Sequence, residues 1–158
     1  MPKEAITILT GSIRSGKTSY LKDNFLGKEN IYGILSPIYN DKRQFLNLAT
    51  KEIFPMEAGE AEKDVLLVGK YRFSKTGFEK ARQVLLDGLK RESGVLILDE
   101  IGPLELRGEG FYAIIKQIVS DRNQNLKKIL VVRETILPDV IDAFEIVNYE
   151  ITKLQKTT

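Results

Sequence analysis

Gly11-Ser12-Ile13-Arg14-Ser15-Gly16-Lys17-Thr18 is the stretch of this chain that decides its fold. It has the form G-x-x-x-x-G-K-T, follows an apolar run at residues 5–9 and precedes an amphipathic segment at residues 19–26. A strand, a glycine-rich loop and a helix in this order are typical of a phosphate-binding loop. The alternative is a Gly/Ser-rich turn that carries a lysine by chance, and the flanking elements argue against it.

The chemistry of this loop predicts that its ligand is a nucleoside di- or triphosphate. Gly11 and Gly16 allow backbone angles at which successive N–H groups turn toward one point. The helix that follows adds its unpaired N–H groups and the positive end of its dipole. We expect Lys17 to contact the β- and γ-phosphates and the Thr18 hydroxyl to bind Mg²⁺. The predicted nucleotide-binding residues are Gly11, Ser12, Ile13, Arg14, Ser15, Gly16, Lys17, Thr18 and Ser19.

The composition limits the chemistry that the chain can perform. Its 158 residues suit one domain, and 42 % hydrophobic and 29 % charged residues are ordinary values for a globular protein. A net charge of +2, with basic and acidic residues intermixed, argues against a DNA or RNA partner. The chain has no Cys and no His, so acid–base chemistry must come from carboxylates, lysine or tyrosine.

The location of the protein is predicted from what the chain lacks. Met1-Pro2-Lys3-Glu4 leads into only about five apolar residues, so we predict no signal peptide. No apolar run has the length of a membrane span. We therefore expect a cytoplasmic protein without membrane contact. The sequence does not identify a protein partner.

Buried strands alternate with amphipathic helices along the chain. We predict strands at residues 5–9, 30–35, 95–98, 128–132 and 146–151, the last at or near a sheet edge, and helices at residues 17–26, 76–91, 111–119 and 138–144. Residues 39–71 consist of short apolar pieces with turn signals, which predict a small β-rich insertion with its firmest strand at residues 65–68. The pattern predicts one three-layer α/β domain over residues 1–158, with a mostly parallel sheet.

Two acids follow the buried strand at residues 95–98. Parallel strands present their carboxyl ends to the ligand, so we expect Asp99 and the P-loop at one edge of the sheet. A P-loop site needs such a carboxylate to hold Mg²⁺, and we assign Thr18 and Asp99 as the metal ligands. Glu100 can orient and deprotonate an attacking water, which favours hydrolysis over phosphoryl transfer. The alternative for Asp99 is a strand that ends at the surface, and for Glu100 an ion pair with an Arg or Lys.

A cation in addition to Lys17 is expected near the transferred phosphoryl group, where negative charge develops. Arg133 follows the strand at residues 128–132 and is the best placed arginine, although a surface arginine is an equal alternative. Arg14 and Arg72 are weaker candidates. The predicted catalytic residues are therefore Glu100, Lys17 and Arg133.

Asp99-Glu100-Ile101-Gly102-Pro103-Leu104-Glu105-Leu106 resembles the D-E-I-G-x-x-E-L signature of the small P-loop nucleoside-triphosphatase family, which includes the THEP1-type enzymes. Val68-Gly69-Lys70-Tyr71 and Gly33-Ile34-Leu35-Ser36-Pro37 resemble further segments of that family, in the same order along the chain. The resemblance implies a RecA-like fold and Mg²⁺-dependent hydrolysis of ATP or GTP to the diphosphate. By position, it implies that the P-loop holds phosphates, Thr18 and Asp99 hold the metal, and Glu100 holds the water.

Some residues depart from the family pattern. Ile13-Arg14 stands where the family's loop commonly has Pro-Gly, and residues 39–43 keep little of the usual G-F-Y-T-x-E-V-R ending. Arg133 stands where relatives tend to have a small residue, and Glu105 has no assigned role. Two alternatives to hydrolysis stay open. The first is a nucleotide-binding regulatory protein with negligible turnover, and the second is a small-molecule or nucleotide kinase.

Overall fold

A computed structural model describes residues 4–155, so the N-terminal residues 1–3 used in predicting the location lie outside the described part. The strands are β1 (Ile6–Gly11), β2 (Ile31–Leu35), β3 (Ile38–Tyr39), β4 (Lys42–Asn47), β5 (Ile53–Pro55), β6 (Val65–Val68), β7 (Tyr71–Ser74), β8 (Gly94–Ile101), β9 (Leu126–Arg133) and β10 (Tyr149–Leu154). The helices are α1 (Lys17–Phe25), α2 (Lys75–Leu89), α3 (Pro103–Leu106), α4 (Tyr112–Ser120) and α5 (Leu137–Ala143). A single 3₁₀ turn, Glu134–Ile136, precedes α5.

The main sheet has the order β10-β1-β9-β8-β2-β4-β3, and β5 pairs with β4. The first five strands of this order are parallel, whereas β4 pairs antiparallel with β2, β3 and β5. Because the parallel strands run in one direction, the P-loop after β1 and the acids near the end of β8 lie at the same edge. The structure therefore confirms the prediction of a mostly parallel sheet.

Helices cover both faces of this sheet and produce three layers. On one face, Leu21 of α1 packs with Leu9, Ile97 and Val131. The other face packs in a second cluster against residues of α2, α4 and α5. Strand β8 contributes to both clusters, because Leu96 and Leu98 belong to the second cluster and Ile97 to the first. Its continuous apolar sequence thus has the predicted cause, which is burial on both faces.

The β-rich insertion contains β3 to β7 and has two parts. Strands β3, β4 and β5 extend the main sheet, whereas β6 and β7 form a separate antiparallel hairpin. Phe73 of β7 packs on Phe78 of α2, with ring centroids 5.8 Å apart, and this contact attaches the hairpin to the core. The predicted range 39–71 ends too early, since β7 continues to Ser74.

Other boundaries also differ from the prediction. Helix α2 begins at Lys75 because the Ser74 hydroxyl accepts a hydrogen bond from the Gly77 N–H at 3.0 Å, whereas the sequence suggested a start at residue 76. Strand β10 lies at the sheet edge, as predicted, but begins at Tyr149 rather than residue 146. Ile146 is buried in the core instead, and Asn148, with φ 52°, separates it from the strand.

None of the helices within residues 4–155 combines the length and the apolar character that crossing a bilayer requires.

Candidate active site

The P-loop folds around the ammonium group of Lys17. Gly16 precedes α1 with φ 87°, a left-handed conformation that glycine adopts without steric cost. The Lys17 Nζ donates hydrogen bonds to Ser12 O at 2.8 Å, Ser15 Oγ at 3.3 Å and Gly11 O at 3.4 Å. Lys17 is only 8 % exposed, and burial lowers its pKa from the ordinary value. Its charge is therefore held by neutral oxygens at the start of α1.

Asp99 links the P-loop to the neighbouring strands. The Thr18 hydroxyl donates to Asp99 Oδ2 at 2.8 Å, and the Ser36 N–H donates to the same oxygen at 3.0 Å. The Ser36 hydroxyl donates to the Asp99 main-chain oxygen at 2.7 Å. The carboxyl group is fully buried, and this burial raises its pKa, while the hydrogen bonds from Ser36 and Thr18 oppose the rise. The structure thus brings together the two residues that the sequence assigned to the metal.

Glu100 lies beside Arg133 at the same edge of the sheet. The Arg133 Nη2 and Glu100 Oε1 atoms are 3.5 Å apart, and both side chains are partly exposed. Burial raises the pKa of Glu100, the Asp99 charge raises it further, and the Arg133 guanidinium opposes both effects. Arg133 therefore lies within the site. It forms an ion pair with Glu100, which the sequence analysis gave as the alternative to a role of Glu100 in activating water. The two carboxyl groups and the two cations Lys17 and Arg133 make one charged cluster.

Glu105 supports the segment that follows Glu100. Its Oε1 accepts a hydrogen bond from the Gly102 N–H at 2.7 Å, and its Oε2 accepts one from the Phe111 N–H at 2.9 Å. The side chain is 3 % exposed, and burial raises the pKa of Glu105 to about 7. Gly110 lies so close that a Cβ atom there would be 2.0 Å from Glu105 Oε2. Glu105 therefore joins both ends of the chain segment around α3.

A cleft of about 750 Å³ connects these groups. The predicted site residues that line it are Ile13, Arg14, Ser15, Gly16, Lys17, Thr18, Ser19, Asp99, Glu100 and Arg133. Gly11 is buried at the end of β1, and Ser12 lines a separate shallow depression with Glu134 and Lys153. The cleft is also lined by apolar and aromatic side chains, which include Ile38, Met56, Val68, Tyr71, Phe73 and Leu104.

Ser36 and Arg43 are among the polar residues of the cleft that were not predicted from the sequence. Ser36 directly follows β2, and the rule that ligands lie at the carboxyl ends of parallel strands could have identified it. Arg43 lies on β4, an antiparallel strand of the insertion, and reaches the same cleft. No local pattern in the sequence indicates Arg43, because its position depends on how β4 pairs with β2.

The residues present fit a magnesium ion. The Thr18 hydroxyl and the Asp99 carboxylate are oxygen donors within 2.8 Å of each other, next to the loop that would hold the phosphates. Mg²⁺ prefers oxygen ligands and commonly combines one or two protein groups with phosphate oxygens and water. Within residues 4–155, no cluster of three or more acidic, His or Cys side chains forms a site made of protein groups alone. The donor set is thus one that needs a phosphate ligand to complete it.

The fold and the site together define a RecA-like P-loop protein. Its parallel strands have the sequential order 5-1-4-3-2, and the acids lie two strands away from the P-loop strand. The model of the NTPase family (NTPase_1) matches residues 6–158, so the chain belongs to that family and is an enzyme of the nucleoside-triphosphatase class. The family resemblance of the D-E-I-G-x-x-E-L octet is thereby confirmed.

Similar proteins agree with this assignment. The chain is 30 % identical over 141 residues to the nucleoside-triphosphatase THEP1 of Aquifex aeolicus. The aligned residues cover 80 % of this chain and 78 % of that protein. The crystal structure of THEP1 from Aquifex aeolicus superposes with a TM-score of 0.70 and 21 % identity, over 95 % of this chain and 90 % of the other. The solution structure of a human cancer-related nucleoside triphosphatase has a TM-score of 0.58 and 17 % identity, over 93 % and 87 %. These structural likenesses support the predicted three-layer α/β fold.

Proposed function

We propose that the protein hydrolyses nucleoside triphosphates, ATP or GTP, to the diphosphate and phosphate in a Mg²⁺-dependent reaction. The observation that carries the proposal is the 2.8 Å contact between Thr18 and Asp99, with Glu100 as the next residue along the chain. These groups lie beside the buried ammonium of Lys17. The cleft thus combines a phosphate-binding loop, a metal-binding oxygen pair and a second carboxylate that is available for acid–base chemistry.

Each residue has a defined part in the proposed reaction. Lys17 and the loop N–H groups bind the β- and γ-phosphates, while Thr18 and Asp99 would hold a Mg²⁺ ion that would neutralise phosphate charge. Glu100 accepts a proton from a water molecule while the oxygen of that water bonds to the γ-phosphorus. The bond from the γ-phosphorus to the β–γ bridging oxygen breaks at the same time. Arg133, with its Nη2 3.5 Å from Glu100 Oε1, opposes the rise in the pKa of Glu100 and holds its carboxylate near this position. Glu105 supports the loop behind it.

The ionisation of Glu100 favours activity at neutral rather than acidic pH. A general base must be unprotonated, and burial together with the Asp99 charge raises the pKa of Glu100 from its ordinary value. A raised pKa also brings a carboxylate closer to the basicity that proton transfer at neutral pH requires. We therefore expect the rate to fall as the pH is lowered through the pKa of Glu100.

Phosphate release by the wild type and by Glu100→Gln tests the proposal. We expect release from ATP or GTP in the presence of Mg²⁺, little release with excess EDTA, and a decrease of about 100- to 1,000-fold in Glu100→Gln. Glu92→Gln is the matched control, because Glu92 is exposed and does not line the cleft. Equal release by wild type and Glu100→Gln would remove Glu100 from the mechanism. Nucleotide binding without any release would favour a regulatory protein with negligible turnover.

Phosphoryl transfer to a bound hydroxyl compound is the second candidate function. It is favoured by the apolar and aromatic side chains that line the cleft, among which Tyr71 is 47 % exposed and stacks parallel to Phe73 at a centroid distance of 5.9 Å. Such a surface suits an organic acceptor better than it suits water alone. ATP labelled in the γ-phosphate distinguishes the two functions. Label recovered only as inorganic phosphate supports hydrolysis, whereas label on an added nucleoside supports transfer.

A further inference from the structure

Arg43 brings a cation into the cleft from the β-rich insertion. Its side chain is half-buried, lines the cleft, and donates from Nη1 to the Ser36 main-chain oxygen at 3.4 Å. Its own N–H donates to the Glu57 carboxylate at 2.6 Å, so the main chain of β4 is held in place at this residue. Ser36 in turn holds Asp99 through two hydrogen bonds. The Arg43 guanidinium therefore contacts Ser36, and Ser36 is the residue that hydrogen-bonds the Asp99 carboxylate proposed to bind the metal.

The guanidinium of Arg43 has no acidic partner in the described part of the chain. None of the carboxylates in residues 4–155 lies within 4.0 Å of its nitrogen atoms. Arg133, by contrast, is paired with Glu100 at 3.5 Å. A half-buried guanidinium is costly to desolvate unless an anion compensates its charge, and arginine is well suited to binding phosphate with two nitrogens. The pairing pattern thus leaves Arg43, like Lys17, open to an anionic ligand, whereas Arg133 is paired.

The remaining cations of the cleft are less suitable for this role. Lys22 donates from Nζ to the Tyr39 hydroxyl at 2.9 Å, and Arg14 is exposed to solvent on the P-loop.

The sheet order determines which end of the nucleotide Arg43 faces. The P-loop follows β1, the two acids lie on β8, Ser36 follows β2, and Arg43 lies on β4, which is the next strand outward. Thr18 and Asp99 would hold a Mg²⁺ ion that neutralises phosphate charge, so the terminal phosphate of a bound nucleotide would lie toward β8 and β2. Arg43 lies on the side of β8 and β2 that is away from the P-loop strand.

We propose that Arg43 binds the terminal phosphate of the nucleoside triphosphate, so that the insertion supplies the group by which the site distinguishes a triphosphate from a diphosphate. The inference rests on the proposed binding of nucleotide at the P-loop, but it does not require that the nucleotide is hydrolysed. It also gives the insertion a part in the function. Strand β4 places a cation at the one phosphate that the diphosphate lacks.

Calorimetric binding of a non-hydrolysable imido analogue of ATP and of ADP, both with Mg²⁺, tests this inference. For Arg43→Ala we expect about 30-fold weaker binding of the analogue and less than about a 2-fold change for ADP, since a charge-assisted contact to one phosphate is lost. Arg43→Lys restores the charge but not the two-nitrogen geometry, so its loss should be smaller. Lys42→Ala is the matched control, because Lys42 is an exposed neighbour on β4 that does not line the cleft.

The outcomes separate this inference from the proposed hydrolysis. Unchanged binding of the analogue by a folded Arg43→Ala would overturn it, as would an equal loss of affinity for analogue and ADP. If Arg43→Ala fails to fold, Arg43→Lys gives the test. An equal loss of affinity for the analogue and for ADP in Arg43→Lys would also overturn the inference. A wild type that releases no phosphate, while Arg43→Ala loses its preference for the analogue, supports the role of Arg43 and contradicts hydrolysis. A wild type that hydrolyses ATP, while Arg43→Ala keeps the preference, supports hydrolysis and contradicts the role of Arg43.

Discussion

Two buried lysines lie at opposite ends of the parallel sheet, and their surroundings differ in one respect. Lys17, at the carboxyl end, is 8 % exposed, and its hydrogen-bond partners within residues 4–155 are neutral oxygens. Lys128, near the start of β9, is 1 % exposed, and its Nζ lies 2.8 Å from Asp121 Oδ2 and 3.0 Å from Asn123 O. A buried ammonium with a carboxylate partner has its charge compensated by the protein.

The difference separates a structural cation from a binding cation. The charge of Lys128 is satisfied within the fold, so we expect it to contribute to stability. The Lys17 ammonium donates to main-chain and hydroxyl oxygens, and no carboxylate of residues 4–155 lies within 4.0 Å of it. Burial lowers its pKa, and the charges of Glu100 and Asp99 in the same cleft oppose this effect. We expect Lys17 to contribute to phosphate binding, because an anionic ligand gives its charge a direct partner.

Removing Lys17 is expected to have the largest effect on function. In Lys17→Met, phosphate release should fall by about 1,000-fold, since the contact to the β- and γ-phosphates is lost. The free energy of unfolding of the nucleotide-free protein should change by less than about 1 kcal/mol, because the lost hydrogen bonds are offset by a lower cost of burial. Turnover assays and urea unfolding measure the two quantities. A large loss of stability would break the contrast with Lys128.

Glu105 extends the contrast to a buried carboxyl group with neutral partners. Its pKa is about 7 in the folded protein against an ordinary value of 4.5, so its contribution to stability is fully present below about pH 4.5 and is lost as the pH rises through about 7. The shift corresponds to a loss of up to about 3 kcal/mol in the free energy of unfolding.

Urea unfolding between pH 4.5 and pH 8 tests this expectation. In Glu105→Gln, the pH-dependent part should disappear, while the overall stability falls because an amide group cannot accept hydrogen bonds from both the Gly102 and Phe111 N–H groups. An unchanged pH dependence in this variant would show that another group causes it.

Removing Lys128 is the matched test at the other end of the sheet. Lys128→Met should lower the free energy of unfolding by about 2 kcal/mol, a reduced value for a buried pair because Asp121 is 26 % exposed and can be solvated. The turnover number of the folded enzyme should stay within about 2-fold of the wild type, since Lys128 does not line the cleft. A double-mutant cycle with Asp121→Asn isolates the pair energy. Additive losses would show that the pair contributes no coupling.

The backbone of Arg14 is expected to give the smallest effect. Arg14 has φ 63°, a left-handed conformation that costs a non-glycine residue about 1–2 kcal/mol, partly offset in the unfolded chain when glycine replaces it. Arg14→Gly should therefore raise the free energy of unfolding by about 0.5 kcal/mol, whereas Arg14→Ala should not. If both variants lose stability equally, the contacts of the side chain outweigh the strain of the loop that surrounds Lys17.

Most of the fold could be predicted because it depends on local patterns. Continuous apolar runs indicated the buried parallel strands, and the G-x-x-x-x-G-K-T pattern indicated how β1 connects to α1. Predictions were weaker where packing overrides local preference. Ile146 has the sequence character of a strand residue but is buried in the core after α5, so β10 begins three residues later. The short helix α3 was not predicted, since it depends on the contacts that Glu105 makes to Gly102 and Phe111.

The candidate site divides in the same way. Thr18 and Asp99 were paired from sequence, and the structure places them in direct contact, because parallel strands must end at one edge. Glu100 and Arg133 were both assigned, but the sequence left their mutual contact open. Neither Gly11 nor Ser12 lines the cleft, and their predicted roles in nucleotide binding stay predictions. Arg43 could not be predicted, because it reaches the site through antiparallel pairing across the insertion.

The sequence by itself determined the phosphate-binding loop, the acids at the end of β8 and the family, since each depends on residues that are adjacent in the chain. Only the tertiary structure decided which cations are paired, which buried carboxyl group supports a loop, and which strand of the insertion reaches the cleft. The physical reason is that charge compensation and burial depend on distances between residues far apart in sequence. Lys17 and Lys128 are the same residue type in the sequence, and their partners distinguish them.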